Sequence, residues 1–190
     1  TDFCVLRKSY RNTVEIANFA SDILAHGEFP GYGAEPVIRH GEAVGIRQTA
    51  GRDLYREAAK ICKGWQTEGF DTIAVICRDQ KQAQETAELL QKELPVMPWD
   101  PEKASFEKGI MVFPVEYTKG LEFDAVLLLS PDRESYPIDD GHAKLLYVAA
   151  TRALHRLEVL HTGNLTGLIA DPIPKKNKKL SLIHISEPTR

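Results

Sequence analysis

Four short apolar runs, each separated from the next by polar or helical segments, constrain the fold of this chain most strongly. They lie at residues 72–77, 110–113, 125–129 and 157–160. A strand that is apolar along its whole length is buried on both faces, which is typical of parallel sheets. Strands that alternate with helices predict an α/β domain with a mostly parallel sheet and helices on both faces.

Helical spacing of apolar residues predicts the elements between these runs. The first helix begins after Asn12, which we expect to cap it in a capping box with Glu15, and it ends at Gly27. Further helices are expected over residues 53–68, from a cap at Asp79 with Gln82 in the capping-box position, and over residues 143–153.

A glycine-rich stretch precedes the second helix. Residues 37–42 and 44–47 have the pattern of two short strands, with His40 and Gly41 between them. This pattern predicts a β-hairpin that turns at His40-Gly41.

The composition excludes several classes of protein. With 43% hydrophobic and 27% charged residues, the chain has the composition of a globular domain. No apolar run approaches the roughly 20 residues of a membrane span, and the amino terminus lacks a signal-peptide pattern, so we expect no membrane association and a cytoplasmic location. Three widely spaced cysteines and the histidine spacing predict neither a disulfide framework nor a metal site.

Charge and composition also suggest how the chain is organised. The net charge of −3 argues against a generally basic nucleic-acid-binding surface, so any such contact is expected to be local. Residues 1–165 are predicted to form one domain. Residues 166–190 are predicted to be a basic tail, and its last residues, 180–190, resemble translated vector sequence that is disordered or not native to the domain.

Charged residues near element ends are the candidates for chemistry. Arg11 comes directly before a capped helix, and Arg152 lies near the end of a helix whose other faces are apolar, where a guanidinium needs water or an anion. Gly120 permits a tight turn between Lys119 and the strand that follows. These groups, with Glu122, are expected to converge on one edge of the sheet. The alternative, taken residue by residue, is a set of surface ion pairs and helix-dipole partners.

Three segments that carry these residues resemble motifs IV, V and VI of the UvrD/Rep branch of superfamily 1 helicases. Residues 9–12 (SYRN), 119–124 (KGLEFD) and 147–153 (YVAATRA) are similar to the family's NYRS-like, KGLEFD-like and YVAxTRA-like motifs, in the family's order. The resemblance spans about residues 6–160. It implies the second, C-terminal RecA-like domain of such a helicase, a three-layer fold of the P-loop NTPase type.

The resemblance also implies roles for individual residues. Arg11 and Arg152 would contact the γ-phosphate of ATP from across an interdomain cleft and serve as the catalytic residues. The implied ATP-binding set is Tyr10, stacked on adenine, together with Arg11, Gly120, Glu122 near the ribose, and Arg152. Residues close to the single-stranded DNA would be Tyr117, Thr118 and Lys119.

Half of the implied nucleotide site is missing from this sequence. No GxxxxGK[ST] phosphate loop occurs in it. In this family the phosphate loop and the acidic residues that hold Mg²⁺ belong to the N-terminal RecA-like domain, which would be the partner of this one. We therefore expect ATP and Mg²⁺ as cofactors of the complete motor, and negligible ATP hydrolysis by the isolated domain.

Two departures from the family pattern favour a particular branch. Pro114 and Glu116 replace the common Thr and His upstream of Lys119, and Glu116 would repel a phosphate backbone. The segment from Leu94 to Lys119 is too short for the inserted subdomain of UvrD and Rep. This compact form resembles the HelD-like branch, whose members bind and recycle RNA polymerase. A DNA helicase, a HelD-like ATPase and a non-catalytic helicase-like module therefore remain as alternatives.

Overall fold

A computed structural model of the protein describes residues 12–27, 39–100, 102 and 108–169. The predicted site residues Tyr10 and Arg11 lie outside the described residues. In chain order the elements are α1 (Val14–His26), β1 (Gly45–Gln48), α2 (Leu54–Thr67), β2 (Thr72–Cys77), α3 (Gln80–Leu90), β3 (Met97–Pro98), β4 (Gly109–Pro114), β5 (Phe123–Leu129), α4 (Asp140–Thr151) and β6 (Ala153–His161). Short 3-10 turns occupy Gly51–Asp53 and Val115–Tyr117.

The six described strands form one sheet in the order β1-β6-β5-β2-β4-β3, and every neighbouring pair is parallel. This confirms the predicted α/β class with a parallel sheet. The two-residue strand β3 was not predicted, because Pro95 and Pro98 read as a break in the sequence. Proline is tolerated there since β3 lies at the edge of the sheet.

Helices cover both faces of the sheet, so the domain has three layers. On one face, α1 and α4 pack over alternate residues of β2 and β5, among them Ile76 and Leu128. On the other face, α2 and α3 pack over the intervening residues, such as Val75 and Leu127. The central strands are therefore buried on both sides, as their continuous apolar sequence predicts.

Helices α1 and α4 lie antiparallel and in close contact. The start of α1 meets the end of α4 through Asn12 and Thr151, while Gly27 at the end of α1 meets Ala143 near the start of α4. A side chain at Gly27 would collide with the Cβ of Ala143, so glycine permits this close approach.

The caps of two helices test the sequence predictions directly. The predicted cap Asn12 is wrong: Thr13 is the N-cap of α1, and its hydroxyl accepts a hydrogen bond from the Ile16 amide at 3.3 Å. Glu15 does not complete a capping box and instead accepts the amide of Gly41. The predicted cap of α3 is confirmed, since the Asp79 carboxylate accepts the amide of Gln82 at 2.8 Å.

Of the β-hairpin predicted over residues 37–47, the described part, residues 39–47, forms no hairpin. Its first residues, 37 and 38, lie outside the described part of the chain, and residues 39–44 contain no strand. β1 pairs instead in parallel with β6, with Gly45 opposite Glu158. The segment before β1 is held against the start of α1, where the Val14 amide donates to the Arg39 carbonyl at 2.9 Å.

A short connection from β4 to β5 positions the candidate site. β4 ends at Pro114 beside Cys77 at the carboxyl end of β2, whereas β5 begins at Phe123 near the amino end of β2. Residues 115–122 therefore travel the length of the sheet on the face covered by α1 and α4, where Val115 is buried. This connection is shorter than most parallel crossovers, which need a dozen or more residues.

The packed chain continues beyond residue 165, where the end of the domain was predicted. Thr166 and Leu168 are fully buried, and Ile169 is 4% exposed. Leu168 and Ile169 belong to the core beneath α1 and α4, so these residues are part of the domain. Residues 170–190 of the predicted tail lie outside the described residues.

No described helix combines the length and apolar character that a transmembrane span requires.

Candidate functional site

Residues of the second and third motif segments meet at the amino-terminal edge of the sheet. Helix α4 ends at Thr151, Arg152 is its C-cap, and Ala153 begins β6. The backbone amide of Phe123, the first residue of β5, donates to the Arg152 carbonyl at 2.8 Å. The end of α4 and the start of β5 are thereby joined at the edge from which both β5 and β6 begin.

The Arg152 side chain folds back over this junction. Its Nε donates to the Val148 carbonyl at 3.0 Å, and its terminal nitrogens donate to the Leu121 carbonyl at 3.1 Å and to the Thr151 hydroxyl at 3.2 Å. Burial lowers the pKa of Arg152, while the charge of Glu122 acts in the opposite direction. The guanidinium remains charged in this position because its ordinary pKa is so high.

The backbone around Arg152 is fixed from a different part of the chain. The Asn12 carboxamide donates to the Thr151 carbonyl at 3.0 Å and to the Ala153 carbonyl at 2.5 Å. With the Phe123 amide on the Arg152 carbonyl, three consecutive carbonyls at this helix end have donors. The last carbonyls of a helix have no partner within the helix, so these contacts satisfy groups that otherwise need water.

Gly120 forms the turn that the sequence predicts. Its φ is +83°, a value that glycine adopts freely, and the Leu121 amide closes the turn on the Thr118 carbonyl at 3.0 Å. The Thr118 side chain is fully buried and donates to the Val115 carbonyl at 2.7 Å, so it supports the turn from inside. Lys119 lies exposed at the tip.

Tyr117 forms part of an exposed aromatic pair near the opposite edge of the sheet. Its side chain is 42% exposed, and its ring centroid lies 4.2 Å from that of Trp99. The Gln80 side chain at the start of α3 donates to the Tyr117 hydroxyl at 2.9 Å. The ring is thus held at two points while much of it faces solvent. Glu116, beside it, is also exposed.

Asp124 has a structural role that was not predicted from its place in the motif. Its carboxylate accepts the backbone amides of Asp71 and Thr72 at 2.9 and 3.2 Å, and its own amide donates to the Thr72 hydroxyl. His155 lies 3.8 Å from the same carboxylate, and Arg39 donates to His155. Asp124 therefore fixes the start of β2 against the start of β5.

The predicted site residues are only partly brought together among the described residues. Arg152, Glu122 and Gly120 share the amino-terminal edge, whereas Tyr117 lies near the carboxyl-terminal edge, at the start of the connection from β4 to β5. Asn12 was missed as a site residue because its sequence context resembles a helix cap.

Within the described ranges, no group of three or more His, Cys, Asp or Glu side chains is arranged to hold a metal ion.

Comparisons with known proteins relate this chain to a helicase domain. Residues 109–160, from β4 to β6, match the model of the UvrD-like helicase C-terminal domain. The crystal structure of the C-terminal domain of a possible DNA helicase from Lactobacillus plantarum WCFS1 is similar, with a TM-score of 0.70 and 25% identity over 86% of this chain and 93% of that chain. No curated protein sequence matches the chain. Residues 109–160 therefore resemble the UvrD-like helicase C-terminal domain, and the described domain has an α/β fold consistent with a RecA-like domain.

Proposed function

We propose that this domain is the second half of an ATP-dependent DNA helicase or translocase motor and that Arg152 donates to the γ-phosphate of ATP. The ATP would be held by the N-terminal RecA-like domain, which carries the phosphate loop in this family. The observation that carries the proposal is the state of the Arg152 guanidinium, a half-buried cation at the domain edge whose three hydrogen bonds all go to neutral oxygens.

A half-buried cation of this kind favours an anionic ligand. Arg152 forms no ion pair with a carboxylate of the described residues, and its five N–H groups exceed the three hydrogen bonds that it makes. Burial is unfavourable for the charge and lowers the pKa of Arg152, and the charge of Glu122 opposes this shift without reversing it. A phosphate oxygen brought to this edge would supply both the negative charge and the missing acceptors.

The remaining nucleotide contacts follow the family pattern. Tyr10 would stack on adenine, Arg11 would join Arg152 at the γ-phosphate, and Glu122 and Gly120 would lie beside the nucleotide. Mg²⁺ would be held mainly by the N-terminal domain. Arginines stabilise the charge that develops on the transferred phosphoryl group, and one such residue is worth about 10³–10⁵ in kcat in related NTPases.

Division of the site between two domains would couple hydrolysis to movement. The nucleotide would draw the domains together, and hydrolysis would release them. Single-stranded DNA would be held near Lys119 and Tyr117, at the tip and base of the connection between β4 and β5. Because residues 115–122 form one short, packed connection, a shift at Arg152 would be transmitted to this tip.

Hydrolysis by the separate and combined domains tests the proposal. The isolated domain is expected to hydrolyse ATP no faster than buffer, because it lacks the phosphate loop. The polypeptide that contains both RecA-like domains is expected to hydrolyse ATP, and single-stranded DNA is expected to stimulate it. Hydrolysis by the pure isolated domain, or hydrolysis by the two-domain protein that is insensitive to both Arg152 and DNA, would contradict the proposal.

A HelD-like ATPase that acts on RNA polymerase is the second candidate. It is supported by the compact path from α3 to β5, whose described residues contain the short strands β3 and β4 and one 3-10 turn, and by the exposed carboxylate of Glu116 where a DNA-binding residue is common. Copurification of the complete protein with RNA polymerase, together with ATP hydrolysis that DNA does not stimulate, would favour this candidate over a DNA helicase.

A further inference from the structure

The side chain of Asn12 connects two segments that would each contribute an arginine to the proposed cleft. Asn12 follows Arg11 directly in the sequence, and its carboxamide is bonded to the residues on either side of Arg152. Asn12 is 4% exposed, and it does not cap α1, a role taken by Thr13. Its amide is therefore committed to the junction between α4 and β6.

The geometry of this contact requires a primary amide. The Asn12 nitrogen lies 3.0 Å from the Thr151 carbonyl oxygen and 2.5 Å from the Ala153 carbonyl oxygen, and its two N–H groups match the two acceptors. Serine or threonine would offer one donor, and aspartate would offer none and place a negative charge against both carbonyls. Of these four side chains, only asparagine can donate to both carbonyls, which belong to the residues before and after Arg152.

We propose that Asn12 is a positioning residue that sets the place of Arg152 in the ATP cleft. The inference rests on the proposed function and deepens it. Loss of the Asn12 amide removes a donor from the carbonyls on both sides of Arg152, whose own backbone keeps the bond from the Phe123 amide and the bond from its amide to the Ala149 carbonyl. Displacement of a catalytic group by about 1 Å can lower a rate by about 100-fold.

The test uses the two-domain protein and compares Asn12→Ala with Thr13→Ala. The neighbouring control, Thr13→Ala, removes the hydroxyl that caps α1 at a position that is also buried, and that hydroxyl accepts the Ile16 amide. Both variants are expected to lower Tm by about 2–6 °C, because each loses buried hydrogen bonds. Asn12→Ala is expected to lower kcat for ATP by about 10–100-fold with KM within about 2-fold, whereas Thr13→Ala leaves kcat within about 2-fold.

Asn12→Asp provides a second variant, because it removes both donors and keeps the size of the side chain. It is expected to lower kcat at least as much as Asn12→Ala. Equal losses of kcat in the Asn12 and Thr13 variants, in proportion to their loss of Tm, would mean that Asn12 only stabilises the fold and would overturn the inference.

A double-mutant cycle with Arg152→Ala separates this inference from the proposed function. If Asn12 acts through Arg152, Asn12→Ala causes no further loss of kcat beyond about 2-fold once Arg152 is removed. A full additional loss in that background overturns the inference. Unchanged kcat in Arg152→Ala alone contradicts the proposed function, whereas a large effect of Arg152→Ala with no effect of Asn12→Ala overturns only the role of Asn12.

Discussion

The guanidinium of Arg152 donates to the backbone carbonyl of Leu121 at 3.1 Å. This contact joins the end of helix α4 to the turn at Gly120, so the proposed nucleotide contact and the tip that carries Lys119 belong to one packed unit. Because of this hydrogen bond, the position of the Arg152 side chain depends on the backbone conformation of the turn at Gly120. A substitution at Gly120 therefore tests whether the turn has the conformation described here.

Gly120→Ala is expected to lower the free energy of unfolding by about 1 kcal/mol, because alanine is strained at a φ of +83°. No atom lies within 4 Å of the position that a Cβ would take, so the cost comes from the backbone alone. Gly64→Ala, at an open position within α2, is the matched control and is expected to raise stability by about 0.5–1 kcal/mol. Urea unfolding measures the free energy of unfolding of both variants. Equal changes in Gly120→Ala and Gly64→Ala would contradict the positive φ assigned to Gly120.

Tyr117→Ala is expected to weaken binding of single-stranded DNA by the two-domain protein about 5–150-fold. In the proposed strand path the exposed ring, which packs against Trp99, would stack on a base, and such stacking contributes about 1–3 kcal/mol per base. Tyr117→Phe keeps the ring and loses only the bond from Gln80, so its affinity is expected to stay within about 3-fold. Fluorescence anisotropy with labelled oligo-dT measures this, and unchanged binding by Tyr117→Ala would remove Tyr117 from the strand path.

Asp124→Ala is expected to lower the free energy of unfolding by about 1–3 kcal/mol, since the amides of Asp71 and Thr72 lose their acceptor. Asp71→Asn offers a nearby comparison, because the Asp71 carboxylate forms only an exposed ion pair with Lys108. Loss of that pair is expected to change stability by less than about 0.5 kcal/mol. Similar losses in the two variants would show that Asp124 does not anchor β2 against β5.

The domain is expected to lose stability as the pH rises above about 9. Burial raises the pKa of the Cys62 and Cys77 thiols to about 12 in the folded state, against about 8.5 in the unfolded chain. Above about pH 9 the unfolded state releases protons that the folded state retains, so each thiol lowers stability by roughly 1 kcal/mol per pH unit until its folded pKa is reached. Below that window the contribution is constant.

Urea unfolding at pH 7.5, 8.5 and 9.5 measures this dependence. A variant that carries Cys62→Ala and Cys77→Ala is expected to show a shallower decline above pH 9, because both titrating groups are gone. The same slope in the variant and the parent would show that other groups, such as buried Tyr136, whose pKa burial also raises, govern the alkaline limit.

The strands and most helices could be predicted because their signals are local. The run at residues 72–77 is apolar throughout, and β2 occupies those residues, buried from Ile73 to Cys77. The cap at Asp79 was predicted for the same reason, since an N-cap contact reaches only three residues along the chain.

The incorrect predictions involve partners that lie far away in the sequence. Asn12 and Thr13 are both good cap residues, and the choice between them depends on Asn12 reaching Thr151, 139 residues later. Gly45–Gln48 has the pattern of a strand, but its partner is β6 rather than the preceding segment. The local sequence around Asn12 and around β1 does not indicate either of these long-range partners, Thr151 and β6.

The residues of the candidate site stay a prediction from the motif resemblance, and their geometry was only partly predictable. The turn predicted at Gly120 is confirmed by its positive φ. The resemblance did not indicate that Arg152 rests on the Leu121 carbonyl, or that Asn12 holds the backbone on either side of it. These contacts arise from the packing of α1, α4 and the connection between β4 and β5.

The rate of ATP hydrolysis by the Arg152→Ala variant of the two-domain protein tests the central claim most directly. The comparison uses the parent protein and Arg133→Ala, whose exposed side chain follows β5 at the opposite edge of the sheet. We expect Arg152→Ala to lower kcat by about 10³–10⁵ while ATP binding stays within about 10-fold, and Arg133→Ala to match the parent. Hydrolysis by Arg152→Ala at the rate of the parent would show that this domain does not supply Arg152 to the nucleotide.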